Sequence, residues 1–280
     1  MTSRQECPSR GRRRRYTGRV AAAPTHRIER LPVAAPGLVA LRSHSDQRYT
    51  GVKDAHLLSR FEAGTSEFWT RGREWQGRPG VIVVHEPGDV QRDLRRRGTV
   101  TYQLIRLAPS LLEEIERVPS RRPQAWFAPE DPRAAALHRL HDAVAAGSDR
   151  FELECAITEA IDALAHAAAT TEHGQTLTRP VRRALELIRE QIADTLTLDE
   201  LARQAGLDKF HLCRAFRAQV GMPPHAYRTQ LRIMRAKVML RAGVQPKDIA
   251  PRVGLYAQSQ LNRHFRRIVS MTPGQFARDA

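Results

Sequence analysis

The chain has 280 residues, 41% of them hydrophobic, and a formal net charge of +16 from 46 Lys plus Arg against 30 Asp plus Glu. That length suits two modest domains with separate cores, and no apolar run approaches the roughly eighteen residues of a membrane span. Cys7, Cys155 and Cys213 are far apart and in no metal-ligand spacing, which argues against both a disulfide framework and a zinc site.

The charge is unevenly placed. Residues 1–30 carry nine Arg against two Glu, residues 31–179 nineteen basic against twenty acidic groups, and residues 180–280 eighteen against eight. Only four of the basic residues are Lys, so the composition is biased toward Arg. A genome-wide Arg bias would raise the middle segment as well, and the middle is neutral. A basic C-terminal block of this kind is the electrostatic footprint of a phosphate-binding surface.

Residues 1–30 include the run Arg12, Arg13, Arg14 and Arg15, lack apolar periodicity, and read as a basic disordered tail. Val20 to Ala23 is too short for the core of a signal peptide, so the expected location is the cytoplasm. Residues 31–125 form the next unit. Short strand-like runs at 38–41, 56–61, 68–70, 81–85 and 99–105 are punctuated by Gly64, Gly72, Gly77, Gly80 and Gly88. Close spacing with turn residues between the runs predicts a small β-barrel or sandwich. Tyr49, Trp69, Trp75 and His85 are candidates to line an effector pocket, although core packing explains each of them equally well. His44, His56 and His85 are scattered and no His-x-His pair occurs, so neither a metal nor another cofactor is expected.

Residues 126–176 carry two helical patterns. Arg133 to Ala146 sets Leu137, Leu140 and Val144 on one stripe, and Phe151 to Ala169 sets Ile157, Ala160, Ile161, Leu164 and Ala168 on another. Such a pair packs on its own barrel or on a second subunit, and the segment is assigned as a linker and dimerisation region. Residues 170–175 are polar and break the pattern.

Residues 177–280 contain an internal repeat. Leu201, Ala202, Ala205, Gly206 and Leu207 recur forty-eight residues later as Ile249, Ala250, Val253, Gly254 and Leu255. Leu212, Arg214, Phe216, Arg217, Met222, Pro224 and Tyr227 recur forty-nine later as Leu261, Arg263, Phe265, Arg266, Met271, Pro273 and Phe276. Each copy has the grammar of a helix-turn-helix. In the first, Thr197 and Glu200 form a capping box, Gly206 ends a short helix, and Asp208 caps a second one. The second helix turns Leu212, Ala215, Phe216 and Val220 inward, leaving Lys209, Phe210, Cys213, Arg214 and Arg217 outside, a shape that fits a major groove.

On these residues the C-terminal hundred positions resemble the DNA-binding domain of AraC/XylS-type regulators. The marks are Leu198 to Ala202, Leu212 to Phe216, Gly221 to Pro224, Arg232 to Ala236 and Met271 to Gly274. The resemblance implies two helix-turn-helix lobes joined by a long helix from about Pro224 to Arg241, with both recognition helices in successive major grooves about one turn, ~34 Å, apart. Carried over by position, the base-facing residues are Lys209, Phe210, Cys213 and Arg214 in the first lobe, and Ala257, Gln258, Gln260, Asn262 and Arg263 in the second. Arg suits guanine, Gln and Asn suit adenine, and Phe210 suits a thymine methyl. Arg217, Arg266 and Arg267 are assigned to phosphates.

The second lobe departs from the family pattern. Leu255 replaces a usual Phe, Tyr256 occupies the usual cap, Ser270 replaces a Gly, and Pro251 lies inside the first helix of the pair. The first lobe is therefore expected to dominate specificity. The N-terminal half, around Pro79 to Asp89, resembles the cupin-like effector domain often fused to such modules. The expected fold is thus multidomain α+β: a cupin-like β-barrel, a helical segment, and an all-α domain with two helix-turn-helix units.

The expected function is effector-controlled, sequence-specific transcription regulation. The expected partners are double-stranded DNA, a small-molecule effector, RNA polymerase and a second copy of the chain, with no membrane. No nucleophile elbow, phosphate loop or paired-carboxylate motif argues for catalysis. A metal-dependent cupin enzyme with an accessory DNA module is the competing reading, and it requires stoichiometric metal held by His residues.

Overall fold

The computed structural model describes residues 26–112, 124–170 and 177–279. Residues 1–25, most of the basic tail named above, lie outside them. Eight strands form one antiparallel sheet: β1 (His26–Leu31), β2 (Leu38–Ser45), β3 (Thr50–Val52), β4 (His56–Thr70), β5 (Arg73–Gly77), β6 (Ile82–His85), β7 (Val90–Leu107) and β8 (Trp126–Phe127). The main path runs β1-β2-β7-β4-β6-β8, with β3 added to β7 and β5 to β4.

Two boundaries expected from the sequence need correction. The tail was drawn to residue 30, yet His26 to Arg30 pair with Ser45 to Leu41 as an edge strand. All five of those residues are exposed, so backbone pairing rather than burial holds them, and no apolar period marks the strand. The β domain was ended at 125, yet Phe127 and Trp126 pair with Ile82 and Val83. Gly64, read as a turn, lies within β4. The pairing of β4 with β7 shifts between Phe61 and Ala63 and again between Ala63 and Thr65, so this glycine marks a bulge that bends one long strand.

The two faces of the sheet divide its side chains. Leu58, Ile82, Ile105, Leu107 and Phe127 form one core with α1 (Ala135–Ala146) and α2 (Arg150–Thr170), through Leu137, Leu140, Val144, Ile157, Ala160 and Leu164. The apolar stripe of the helical pair is therefore spent on its own sheet. The opposite face gathers Phe61, Phe68, Val81, Val83, Val100 and Tyr102 into a second core.

Seven helices follow: α3 (Arg179–Glu190), α4 (Leu198–Ala205), α5 (Lys209–Val220), α6 (Pro224–Arg241), α7 (Pro246–Arg252), α8 (Gln258–Val269) and α9 (Pro273–Asp279). They enclose two cores. Val181, Ala184, Ile188, Leu201, Leu212, Phe216 and Tyr227 fill the first. Ile233, Ala236, Leu240, Ile249, Val253, Leu261 and Phe265 fill the second. Helix α6 spans both, with Tyr227 in one core and Leu240 in the other, so it sets the relation between the two helix pairs. Helix α3 lies outside the internal repeat, and its Val181, Ala184, Leu185 and Ile188 stand at helical spacing and are all buried.

Candidate nucleic-acid interface and effector chamber

Local chemistry fixes where α5 begins and which way it faces. Thr197 Oγ1 accepts from Glu200 N at 3.2 Å and starts α4. The other half of the expected capping box is absent, because the Glu200 carboxylate accepts from Gln204 Nε2 at 3.4 Å instead. Asp208 Oδ1 then accepts from both Phe210 N and His211 N at 2.9 Å. These bonds, with His211 and Arg214 nearby, hold the Asp208 carboxyl below its ordinary range. Leu212 and Phe216 are fully buried, while Lys209, Phe210, Arg214 and Arg217 are exposed and Cys213 is half-buried between them. Phe210 is 71% exposed, an outlay of apolar surface that lobe packing does not explain. Lys209 Nζ sits 3.2 Å from Asp199 and 6.0 Å from the Phe210 ring, both surface contacts that a stronger anion would displace.

In the second helix pair the cap lies one residue later than expected. Ala257, not Tyr256, is the residue before α8, and it has no side-chain oxygen to offer. Gln260 reaches back, its Oε1 accepting from Tyr256 N at 3.1 Å, which steadies the turn but leaves the first-turn N–H groups of α8 without a side-chain cap. Pro251 is tolerated within α7. Its ring is exposed while Ile249 and Ala250 are buried, and Val253 N closes the helix on Ile249 O and Ala250 O. Gln258, Arg263, Arg266 and Arg267 are exposed beside Ala257, and Gln260 and Asn262 are half-buried. Arg267 approaches His264 Nδ1 at 3.2 Å. No carboxylate lies within ion-pair distance of Arg214, Arg217, Arg263 or Arg266 among the described residues, so these cations are available to an external anion.

Arg228 and Arg232 on α6 form a joint that the motif comparison did not assign. Arg228 donates to the carbonyls of Leu196 (3.1 Å), Gln191 (2.8 Å) and Asp194, and Arg232 to that of Ile192 (2.8 Å). Burial, with Arg228 alongside, brings Arg232 down to about 10. These guanidiniums tie the α3–α4 connection to α6.

The four effector candidates do not converge. Trp75 stacks on Trp126 with centroids 5.5 Å apart. Trp69 turns toward the helical domain, where its ring carbons would lie 2.3 Å from a Cβ placed on Gly221. Tyr49 carries the Lys53 ammonium 4.3 Å over its ring. His85 is 1% exposed and shares the face of Val81 and Val83. Burial holds its imidazole well below the usual histidine value, and Lys53 and Arg71 add to the effect. Burial also brings Lys53 down to about 8, against the pull of Asp93, Asp54 and Asp89. Ser59, paired with Val83, points to the same side as His85. Ser59 Oγ and His85 Nδ1 are both buried without a hydrogen-bond partner among the described residues, two polar atoms on one sheet face that a polar ligand would satisfy. Among the described residues no group of three or more His, Cys, Asp or Glu is placed to hold a metal ion. No described helix is long and apolar enough to cross a membrane.

A ligand-receiving sheet joined to a basic helical module of this shape defines the class of effector-linked, DNA-binding transcription regulators. Residues 35–161 match the AraC-like ligand binding domain and residues 201–279 the helix-turn-helix domain. The chain is 25% identical over 217 residues to the HTH-type transcriptional regulator YbfI of Bacillus subtilis, a match covering 74% of this chain and 79% of YbfI. It is 33% identical over 97 residues to the regulatory protein SoxS of Salmonella typhimurium, covering 34% of this chain and 91% of SoxS. Among solved structures it is similar to ToxT from Vibrio cholerae, with 9% identity, a TM-score of 0.49, and coverage of 86% of this chain and 97% of ToxT. The chain belongs to the AraC family of transcription regulators.

Proposed function

We propose that this regulator reads DNA with two helix-turn-helix units, placing α5 and α8 in successive major grooves on one face of the duplex. The carrying observation is the pairing of buried and free faces. Each helix seals one side in its own core, Leu212 and Phe216 in one lobe and Leu261 and Phe265 in the other. Each leaves on its outer side arginines with no carboxylate in ion-pair distance among the described residues. Arg214 and Arg263 are assigned to bases, with Lys209, Phe210, Cys213, Ala257, Gln258, Gln260 and Asn262 beside them. Arg217, Arg266 and Arg267 are assigned to phosphates, which fix register without reading sequence. The first lobe dominates specificity, because α5 has a carboxylate cap and α8 has none.

A small molecule bound at the sheet face of His85 and Ser59 controls DNA affinity. A second copy of the chain and RNA polymerase complete the proposed partners. Binding-site selection from random duplex DNA by the full chain tests the reading. A bipartite consensus supports it, and retention of DNA without any consensus contradicts it.

A further inference from the structure

The sheet and the first lobe share a core. Val52, Trp69 and Val90 pack in one cluster with Val181, Val220, Met222 and Tyr227. The contact is close, since Gly221, at the end of α5, has room for no side chain beneath Trp69. Gly88 approaches the Arg189 guanidinium, which donates to Tyr227 Oη at 3.2 Å. Asp54 pairs with Lys237 on α6. Burial works against the Asp54 carboxylate, but Lys237, Arg106 and Arg241 outweigh it and hold the carboxyl below its ordinary range.

The residues making these contacts lie on two segments that are bonded together. Thr50, Gly51 and Val52 pair with Arg92, Gln91 and Val90. Beyond the strand, Lys53 N donates to Asp89 O at 2.7 Å and Gly88 N to Lys53 O at 2.8 Å. Segments 50–54 and 88–92 therefore move as one piece. One side of this piece carries Val52, Val90 and Asp54, which touch the helical domain. The other side carries Lys53 over Tyr49, Asp89 held by Arg71, and Gln91 bonded to Asp93. Gln91 and Asp93 pair with Thr70 and Phe68, so this inner side lies on the sheet face that carries Phe68, Val83 and His85. Adjacent residues thus face opposite ways, Lys53 toward the side of Phe68 and His85 and Asp54 toward α6.

We propose that segments 50–54 and 88–92 form a transmission strap, which couples ligand occupancy at the sheet face of Ser59 and His85 to the way the first lobe and α6 are held. This rests on the reading of the chain as an effector-controlled DNA-binding protein. The DNA-facing residues of α5 stay exposed with the strap seated, so the strap acts by orientation and not by covering them. A ligand that packs against Lys53 or displaces Asp89 shifts the strap. Trp69 on Gly221 and Asp54 on Lys237 carry that shift into the lobe.

Coupling between sites is reciprocal, so DNA must be felt at the strap just as an effector is felt at the DNA face. The test is hydrogen–deuterium exchange of the full chain, with and without a duplex obtained by binding-site selection. In the native chain, DNA is expected to protect α5 and to change exchange at the Lys53 and Gly88 amides by about fivefold or more, the lower end of ordinary coupling. In Asp54→Asn and in Trp69→Leu, α5 protection should persist while the strap response falls severalfold. The swap of Asp54→Lys with Lys237→Asp should restore it. A protected α5 with an unchanged strap in the native chain overturns the strap alone, as does a full response in both single variants or no recovery in the swap. Absence of any protection at α5 overturns the DNA reading, and the strap with it.

Discussion

Gly206 and Gly254 occupy equivalent places in the repeat, each closing the turn between the helices of a pair, and they are predicted to respond differently to the same substitution. Both have positive φ, +71° and +74°. An alanine in that conformation costs roughly 1–2 kcal/mol. At Gly206 nothing lies within 4 Å of the added Cβ, so that cost is all Gly206→Ala incurs. At Gly254 the Cβ would lie 2.3 Å from Ala193 O and 2.7 Å from Ala193 Cα, both backbone atoms. An ordinary carbon–oxygen approach is about 3.3 Å or more, so the overlap is near 1 Å and backbone must yield. Overpacking of that kind adds about 1–3 kcal/mol. Urea unfolding of the full-length variants, followed by far-ultraviolet circular dichroism, should place Gly254→Ala below Gly206→Ala by that margin. Equal destabilisation within about 0.5 kcal/mol would refute the seating of the second lobe on the α3–α4 connection, because the conformational cost is common to both.

Three further outcomes follow from the same geometry. Arg214→Ala should lose about 1–3 kcal/mol of binding with relaxed choice at one base position, whereas Arg217→Ala should weaken all sequences alike and reduce the salt slope by about 1; competition titrations over single-base operator variants separate the two. Phe216→Ala, which empties a fully buried aromatic site beneath the DNA-facing surface, should cost about 3–5 kcal/mol of stability in a thermal or urea melt. His85 and His141 are both held well below the usual histidine value, first by burial and then by neighbouring cations, so they fold neutral. The unfolded chain therefore binds more protons below pH ~6.5, and stability should fall as the pH is lowered from 7 to 5. Urea midpoints should show that fall in the native chain and a shallower one in His141→Gln; identical slopes would remove His141 from the effect.

What could be read from the sequence follows from where each element draws its stability. The α4–α5 pair was legible because its start, stop and inward face are local: Thr197, Gly206, Asp208, and the spacing of Leu212 and Phe216. Helix α6, which the family resemblance implies as a span from about Pro224 to Arg241, has those bounds, with a proline at its start and Gly243 just past its end. The edge strand at His26 was not legible, because it is held by backbone pairing to β2 and buries almost nothing. Strands β4 and β7 were read in pieces, because a bulge at Gly64 has the same sequence mark as a turn. The residue before α8 is Ala257 and not Tyr256, and because alanine has no side-chain acceptor no cap signal marks that start in the sequence. The roles of Trp69 and Asp54 depend on the meeting of segments more than 150 positions apart, such as Asp54 with Lys237, and no periodicity records such a contact.

The central claim is that α5 and α8 enter successive major grooves, and hydroxyl-radical footprinting of the full chain on its selected site tests it most directly. Two protected stretches on one face of the duplex, centred about one helical turn apart, are expected. Arg214→Ala should weaken one stretch and Arg263→Ala the other. A single continuous stretch that responds equally to both substitutions would contradict reading by two separate lobes.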